Sequence, residues 1–117
     1  MTASDGIRDL ELRIQLKEAR RDELVKDLNA IEKGIVAEIE SLWQDTKDPS
    51  LSNAQKRSAE VEARMKSCPE AAALGDERSE LEIDLKRLRI DVSFLRREFR
   101  REMIRRQEAL AGIGGDI

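Results

Sequence analysis

One stretch of the chain decides the fold: LEIDLKRLRIDVSFLRREF, residues 81–99. Its large apolar residues recur at alternating steps of four and three, which places them on one face of an α-helix and is typical of a coiled-coil seam. These residues form the late seam: Leu81, Leu85, Leu88, Val92, Leu95 and Phe99. The stretch predicts a long amphipathic helix that continues to about residue 110.

A similar pattern lies near the start of the chain. Residues at steps of three and four form the early seam: Ile7, Leu10, Ile14, Lys17, Arg21, Leu24, Leu28, Ile31 and Ile35. Two cations interrupt it, and a cation at a seam position needs to reach solvent or a carboxylate. With Asp5 as an N-cap, the pattern predicts a helix over residues 5–46.

Two prolines divide the chain between these helices. Asp48 is disfavoured from the helical region because Pro49 follows it, so a hairpin tip is expected there. A middle helix is predicted over residues 50–67, where the steps of three and four resume at Leu51, Ala54, Ser58, Val61 and Met65. Pro69 predicts a second break, since proline costs about 3 kcal/mol inside a helix.

The last helix is predicted over residues 70–110. Gly75 is a weak point within it, and Ser79 with Glu82 has the spacing of a capping box that could begin a new helix. Gly112 is suited to a helix C-cap. A frayed, disordered tail is therefore predicted over residues 111–117.

Together these elements predict an all-α fold with a single elongated helical domain over residues 1–117. The expected architecture is a long antiparallel coiled-coil hairpin with a return arm broken at a proline. Composition agrees, because 40% charged and 3% aromatic residues leave little material for a globular core. The return arm is longer than the first helix, so either the final helix overhangs the first, or Pro69 folds the middle helix aside to make a three-helix bundle. The overhang is favoured, since a proline kink bends a helix more often than it reverses one.

A second, thinner apolar stripe lies off the seam on each long helix. Its members are Leu12, Leu16 and Ala19 on the first helix and Ile83, Ile90 and Phe94 on the last. A two-helix hairpin buries one stripe per helix, so the second stripe needs another cover unless these are scattered surface residues. Two hairpins packed as a four-helix bundle would cover it, and we therefore expect a homo-oligomer, with a dimer favoured.

Charge is unevenly spread along the chain. The net charge is −4 over residues 1–50, −3 over residues 51–85 and +4 over residues 86–117. The basic end contains an arginine cluster: Arg96, Arg97, Arg100, Arg101, Arg105 and Arg106. Two interpretations are open, because these side chains can pair with the acidic first helix and cover apolar surface, or they can follow a phosphate backbone. The interspersed Glu98 and Glu102 favour the first.

The residue inventory excludes several kinds of site. The chain has no histidine or tyrosine, and Cys68 is its single cysteine, which excludes catalytic triads, histidine metal sites and an intramolecular disulfide. No phosphate-binding glycine motif occurs, and no enzymatic activity, cofactor or metal is expected. The first thirty residues contain no apolar run suited to a signal peptide or a membrane span, so we expect a cytoplasmic protein without a membrane partner.

Trp43 lies next to the expected hairpin tip. Tryptophan is common in binding hot spots and equally suited to close the end of an apolar seam. Trp43 is therefore either a plug for the seam, which is favoured, or an anchor for a protein partner.

The return arm carries two recognisable segments, Ser52-Asn-Ala-Gln-Lys-Arg57 and Leu95-Arg-Arg-Glu-Phe99, joined through a proline-broken link. In this the chain resembles small helical-hairpin proteins of phages and mobile elements, and the resemblance implies an accessory role without assigning any site residue. A second family of helical hairpins, the secreted WXG proteins, has a glycine two residues after the tryptophan. Asp45 stands there in this chain, so that family is set aside.

Three functions follow as hypotheses. The leading one is a non-enzymatic structural or adaptor protein that self-associates and presents its hairpin tip or its C-terminal arm to a protein partner. The second is an accessory nucleic-acid-binding protein that uses the arginine cluster. The third is an acidic inhibitor of a nucleic-acid enzyme, suggested by the net charge of −7 over residues 1–85.

Overall fold

The computed structural model describes the backbone of residues 3–115 and the side chains of residues 4–112. Within that range all of the regular structure is helical, which confirms the predicted all-α class. The first helix, α1, is Ala3–Thr46, and a 3-10 turn follows at Pro49–Leu51. The next helices are α2, Ala54–Ser67, and α3, Pro69–Gly115.

Helix α1 begins earlier than predicted and ends where predicted. The helix already includes Ala3, so Asp5 is not its N-cap but lies in the first turn, where a carboxylate is favourable beside the helix dipole. The end at Thr46 matches the prediction. Lys47 stops the helix in a left-handed conformation, with φ 50°, and donates its backbone N–H to the Trp43 carbonyl oxygen at 2.9 Å.

Capping side chains determine where α2 begins. Asp48 accepts a hydrogen bond from the Ser50 backbone N–H at 2.9 Å, which caps the 3-10 turn. Asn53 accepts one from the Lys56 backbone N–H at 2.8 Å and caps α2 itself. The middle helix therefore begins at Ala54, and the predicted start at residue 50 is wrong, because the turn and the helix are capped separately.

The break between α2 and α3 is confirmed. Cys68 is extended, with φ −83° and ψ 113°, and Pro69 occupies the first position of α3, where its missing N–H leaves no hydrogen bond unmade.

The rest of α3 is continuous. It passes through Gly75 and Ser79 without interruption, in agreement with one predicted helix over residues 70–110, and the capping-box spacing at Ser79 begins no new helix. A glycine costs only about 1 kcal/mol in a helix, and the alanines and leucine before Gly75 are strong helix formers. The predicted helix end at residue 110 is wrong, because α3 continues to Gly115. The tail predicted from residue 111 is therefore helical up to Gly115, and residues 116 and 117 lie outside the described range.

The chain divides into two compact units. Unit 1 combines α1 up to Glu18 with α3 from Ile83 onward, and unit 2 is Ala19–Glu82. The most buried side chains of unit 1 are Leu85 and Val92, and those of unit 2 are Leu24, Ile39, Leu51 and Ala71.

Burial follows most of the predicted seams. The residues of the early seam from Ile7 to Ile35 are all buried or half-buried, and so are those of the late seam from Leu81 to Leu95. Phe99 is exposed, so the late seam loses its cover after Leu95. In the middle segment the predicted seam positions Leu51, Val61 and Met65 are buried or half-buried, whereas Ala54 and Ser58 are exposed. The other half-buried side chains of α2 are Arg57, Glu60 and Arg64.

Candidate functional site

Within unit 1, ion pairs between described residues join α1 to α3. They include Lys17 with Asp84 at 3.3 Å, Glu18 with Arg89 at 3.7 Å, and Glu11 with Arg96. Partners later on α3 lie against residues earlier on α1, so the two helices of this unit are antiparallel. Lys17, one of the two cations in the early seam, thereby reaches a carboxylate, as its seam position requires.

Unit 2 has its own set of cross-helix ion pairs. Those with α2 are Glu40 with Arg57 at 3.1 Å and Glu38 with Arg64 at 3.7 Å. Those with α3 are Arg20 with Glu77 at 2.9 Å and Arg21 with Glu82 at 3.7 Å. In this unit α2 thus lies along α1, which does not fit a middle helix that folds aside.

Arg20 has the most connected side chain of these pairs. It donates two hydrogen bonds to Glu77, at 2.9 and 3.1 Å, and a third to Glu23 on its own helix at 3.0 Å. The hydrogen bond to Glu77, followed by the one to Glu23, raises the pKa of Arg20 above its ordinary value. A bidentate arginine and carboxylate pair holds α1 and α3 in one register within unit 2.

The outer stripe of α1 lies on the side of that helix away from α3. Leu12 and Leu16 follow the seam residues Leu10 and Ile14 by two positions, about 200° around an α-helix. They are 54% and 65% exposed. The carboxylates Asp5 and Asp9 continue the same line at steps of four and three and are exposed as well. We define the outer stripe of α1 in unit 1 as Asp5, Asp9, Leu12 and Leu16.

The outer stripe of α3 lies on the opposite side of unit 1. Ile83, Ile90 and Phe94 are each more than half exposed. Arginines complete the line at the same steps of four and three, so the outer stripe of α3 is Ile83, Arg87, Ile90, Phe94, Arg97 and Arg101. The predicted apolar residues are therefore all exposed. Of the charges that continue the stripes, Arg97 and Arg101 were predicted only as possible nucleic-acid-binding residues, and Asp5, Asp9 and Arg87 were not among the predicted site residues. Their helical spacing is the signal that could have identified them.

The arginine cluster divides into three groups: one arginine pairs with α1, two pair within α3, and three make no ion pair among the described residues. Arg96 pairs with Glu11 of α1, whereas Arg101 and Arg106 pair with Glu98 and Glu102 of α3 itself, at 3.2 and 3.4 Å. Among the described residues, Arg97, Arg100 and Arg105 make no ion pair, and Arg97 donates only to the Ser93 carbonyl oxygen at 3.4 Å. Pairing with the first helix therefore accounts for one arginine of the six.

Trp43 is half-buried at the end of α1. The Lys47 ammonium lies 4.9 Å from the centre of the indole ring and the Arg57 guanidinium 5.7 Å from it, both within reach of a cation–π interaction. The neighbouring Leu42 is exposed. Side chains of the same chain thus lie against the indole ring, which stays half-buried.

The chain was compared with protein-family models, curated proteins and solved structures. No protein-family model, curated protein or solved structure matches this chain. The resemblance to helical-hairpin proteins of phages and mobile elements stays a prediction. None of the helices in the described part of the chain has the length and apolar character needed to cross a membrane. Over the same residues, no group of three or more acidic or cysteine side chains is placed to hold a metal ion.

Proposed function

We propose that this chain is a non-enzymatic structural or adaptor protein, built as a long antiparallel coiled-coil hairpin, that works by self-association and by binding a protein partner. The observation that carries the proposal is the pair of exposed outer stripes in unit 1. Leu12, Leu16, Ile90 and Phe94 are each more than half exposed although the chain has few large apolar residues to spare. Exposed apolar side chains aligned on one helix face are typical of protein interaction sites.

The hairpin itself is supported by the cross-helix ion pairs. In each unit separately, α1 pairs with a helix that runs against it, from Glu40 with Arg57 in unit 2 to Glu11 with Arg96 in unit 1. In unit 1 the seam positions up to Leu95 are buried or half-buried on both α1 and α3, as in a coiled coil. A hairpin of this kind offers two further places for a protein partner, the tip around Trp43 and the exposed arm of α3, residues 96–112.

Light scattering coupled to size-exclusion chromatography tests self-association. We expect the apparent mass to exceed that of one chain and to rise with protein concentration. The variant Leu12→Gln/Leu16→Gln should have a lower apparent mass than the wild type at the same concentration, while it keeps the helical circular dichroism signal. The matched control Leu110→Gln is equally exposed but lies off the stripes, and it should behave as the wild type. A wild-type chain that stays monomeric up to millimolar concentration would contradict self-association.

Nucleic-acid binding through the arginine cluster is the alternative, motivated by the absence of ion pairs at Arg97, Arg100 and Arg105 within the described side chains. A salt titration distinguishes the two functions, because binding to phosphates weakens steeply as salt rises. We expect no salt-sensitive binding to single-stranded or double-stranded DNA at 50 mM salt. Binding that disappears in Arg100→Glu/Arg105→Glu would favour the alternative.

A further inference from the structure

We propose that the outer stripe of α1 docks onto the outer stripe of α3 of a second copy of this chain, with the two helices antiparallel. The inference rests on the proposed self-association and adds its partner surface, its register and its symmetry. The two stripes are complementary in charge, since the first ends in two aspartates and the second in two arginines. Both are exposed over their whole length.

The spacing of the two stripes fixes a register. Along α1 the outer residues follow steps of four, three and four, from Asp5 to Leu16; read backwards along α3, the residues from Arg101 to Ile90 follow the same steps. Antiparallel alignment then puts each of the four residues of the α1 stripe opposite a suitable partner on α3, while Ile83 and Arg87 lie beyond this contact. The pairs are Asp5 with Arg101, Asp9 with Arg97, Leu12 with Phe94 and Leu16 with Ile90.

Flanking positions add to the fit. In an antiparallel contact centred on these stripes, Arg13 of one copy lies between Asp91 and Glu98 of the other. On the other flank Arg8 lies near Arg100, which is the one like-charged pair of the contact. Opposite charges at the edges of a helix pair select its partner and orientation. Arg13 has two carboxylates near it and only one flanking pair is like-charged, so the flanking charges favour this register.

Pairing of identical stripes is less favourable. Two copies of the outer stripe of α3, centred on Ile90 and Phe94 in antiparallel alignment, would place Arg87 against Arg97. The outer stripe of α1 contains no cation of its own, so two copies of it would bring no opposite charges together. Asp9 already pairs with Arg13 of its own helix at 3.1 Å, and that pair lies beside the stripe in either arrangement. Like charges directly opposed across a helix contact cost stability, whereas the mixed pairing has opposite charges at those positions.

Mixed pairing determines the symmetry of the assembly. The seam separates the two outer stripes, so they lie on opposite sides of unit 1 and no single neighbour can cover both. Each contact is heterologous and leaves one stripe free on either end, so association continues beyond two copies until a ring closes or a filament forms. This replaces the four-helix dimer expected from the sequence with a head-to-tail assembly.

Complementation between two defective chains tests the mode of association. Leu12→Gln/Leu16→Gln disables the outer stripe of α1, and Ile90→Gln/Phe94→Gln disables that of α3; the four residues are exposed, so both variants should retain the helical circular dichroism of the wild type. Each variant alone is expected to be monomeric. An equimolar mixture should form a complex of twice the monomer mass that does not grow further, because each chain contributes one intact stripe.

Two outcomes would overturn the inference while leaving self-association intact. One is a wild-type chain that associates while the mixture of variants stays monomeric. The other is a variant that still dimerises by itself through an intact stripe, as pairing of identical stripes requires. A wild-type chain that never associates would instead remove the proposed function on which the inference rests.

A charge exchange tests the register separately. Asp5→Arg/Asp9→Arg and Arg97→Asp/Arg101→Asp should each reduce association at least tenfold, because each places like charges opposite one another. A chain carrying all four substitutions restores opposite charges and should recover the wild-type association. If the fourfold variant associates no better than its parents, the register is wrong.

Discussion

At the scale of single residues, burial separates side chains of the same type into different roles. Leu85 is completely buried in unit 1, whereas Leu110 on the same helix is 69% exposed. Both are leucines in an arginine-rich helix, and only their position relative to the seam differs. The seam, and not the number of apolar residues, therefore carries the stability of the fold.

Substitution of these two leucines should show the difference. Leu85→Ala removes fully buried methyl groups and leaves a cavity, so we expect the free energy of unfolding to fall by about 2–5 kcal/mol. Leu110→Ala is the matched control and should change it by less than about 0.5 kcal/mol. Urea denaturation followed by circular dichroism measures both. Equal losses at the two positions would contradict the seam.

The Asp48 cap at the hairpin tip makes a contribution to stability that depends on pH. The Ser50 backbone N–H donates to its carboxylate and holds the pKa of Asp48 below its ordinary value. The sign of the linkage follows: this contribution to stability is present above the unfolded-state pKa, about 3.9, and is lost as pH falls through the lower folded-state pKa.

We expect an NMR titration of the Asp48 carboxyl carbon to give a lower midpoint in the folded protein than in the same protein unfolded in urea. Equal midpoints would show that the cap does not form.

At the scale of elements, boundaries are determined by caps and by local breaks. Asn53 supplies the acceptor that begins α2, and extended Cys68 followed by Pro69 ends it. The seam pattern runs on through such points, so periodicity alone placed the start of α2 too early. A side chain that satisfies an orphan backbone N–H decides the first residue of a helix.

Replacing the α2 cap should destabilise that helix. Asn53→Ala removes the acceptor of the 2.8 Å hydrogen bond from the Lys56 N–H, and we expect a loss of about 1 kcal/mol in the free energy of unfolding. Asn53→Asp keeps an acceptor in the same place and serves as the control. If the two variants lose the same amount, the cap contributes nothing.

Gly75 offers a stabilising substitution within α3. A Cβ atom added there would meet nothing within 4 Å, and the surrounding helix is continuous. Gly75→Ala should therefore raise the free energy of unfolding by about 0.5–1 kcal/mol, because alanine is the better helix former. A decrease, measured by urea denaturation, would mean that the helix is interrupted at Gly75.

At the scale of the whole molecule, the exposed arm of α3 and the outer stripes are distinct surfaces. All side chains from residue 96 to residue 112 are exposed, so this part of α3 contributes none of the buried core among the described residues. The outer stripe of α3 reaches into it only as far as Arg101. The remainder of the arm is available to a protein partner without disturbing the proposed assembly.

Truncation separates the two surfaces. Removing residues 104–117 should leave the free energy of unfolding within about 0.5 kcal/mol of the wild type, because every described side chain removed is exposed. It should also leave self-association unchanged, since both outer stripes survive. Loss of more than 1 kcal/mol on urea denaturation would show that the arm packs against another part of the chain.

The sequence by itself determined the helical class, the two seams and the breaks near Pro49 and Pro69, because these depend on local periodicity and on backbone sterics. It also located the apolar residues of the outer stripes. The exposure of Phe99, the pairing of Lys17 with Asp84 and the start of α2 at Ala54 emerged from the three-dimensional structure. The first two features depend on which side chains face one another across two helices, and a heptad pattern specifies the facing side of a helix without specifying its partner.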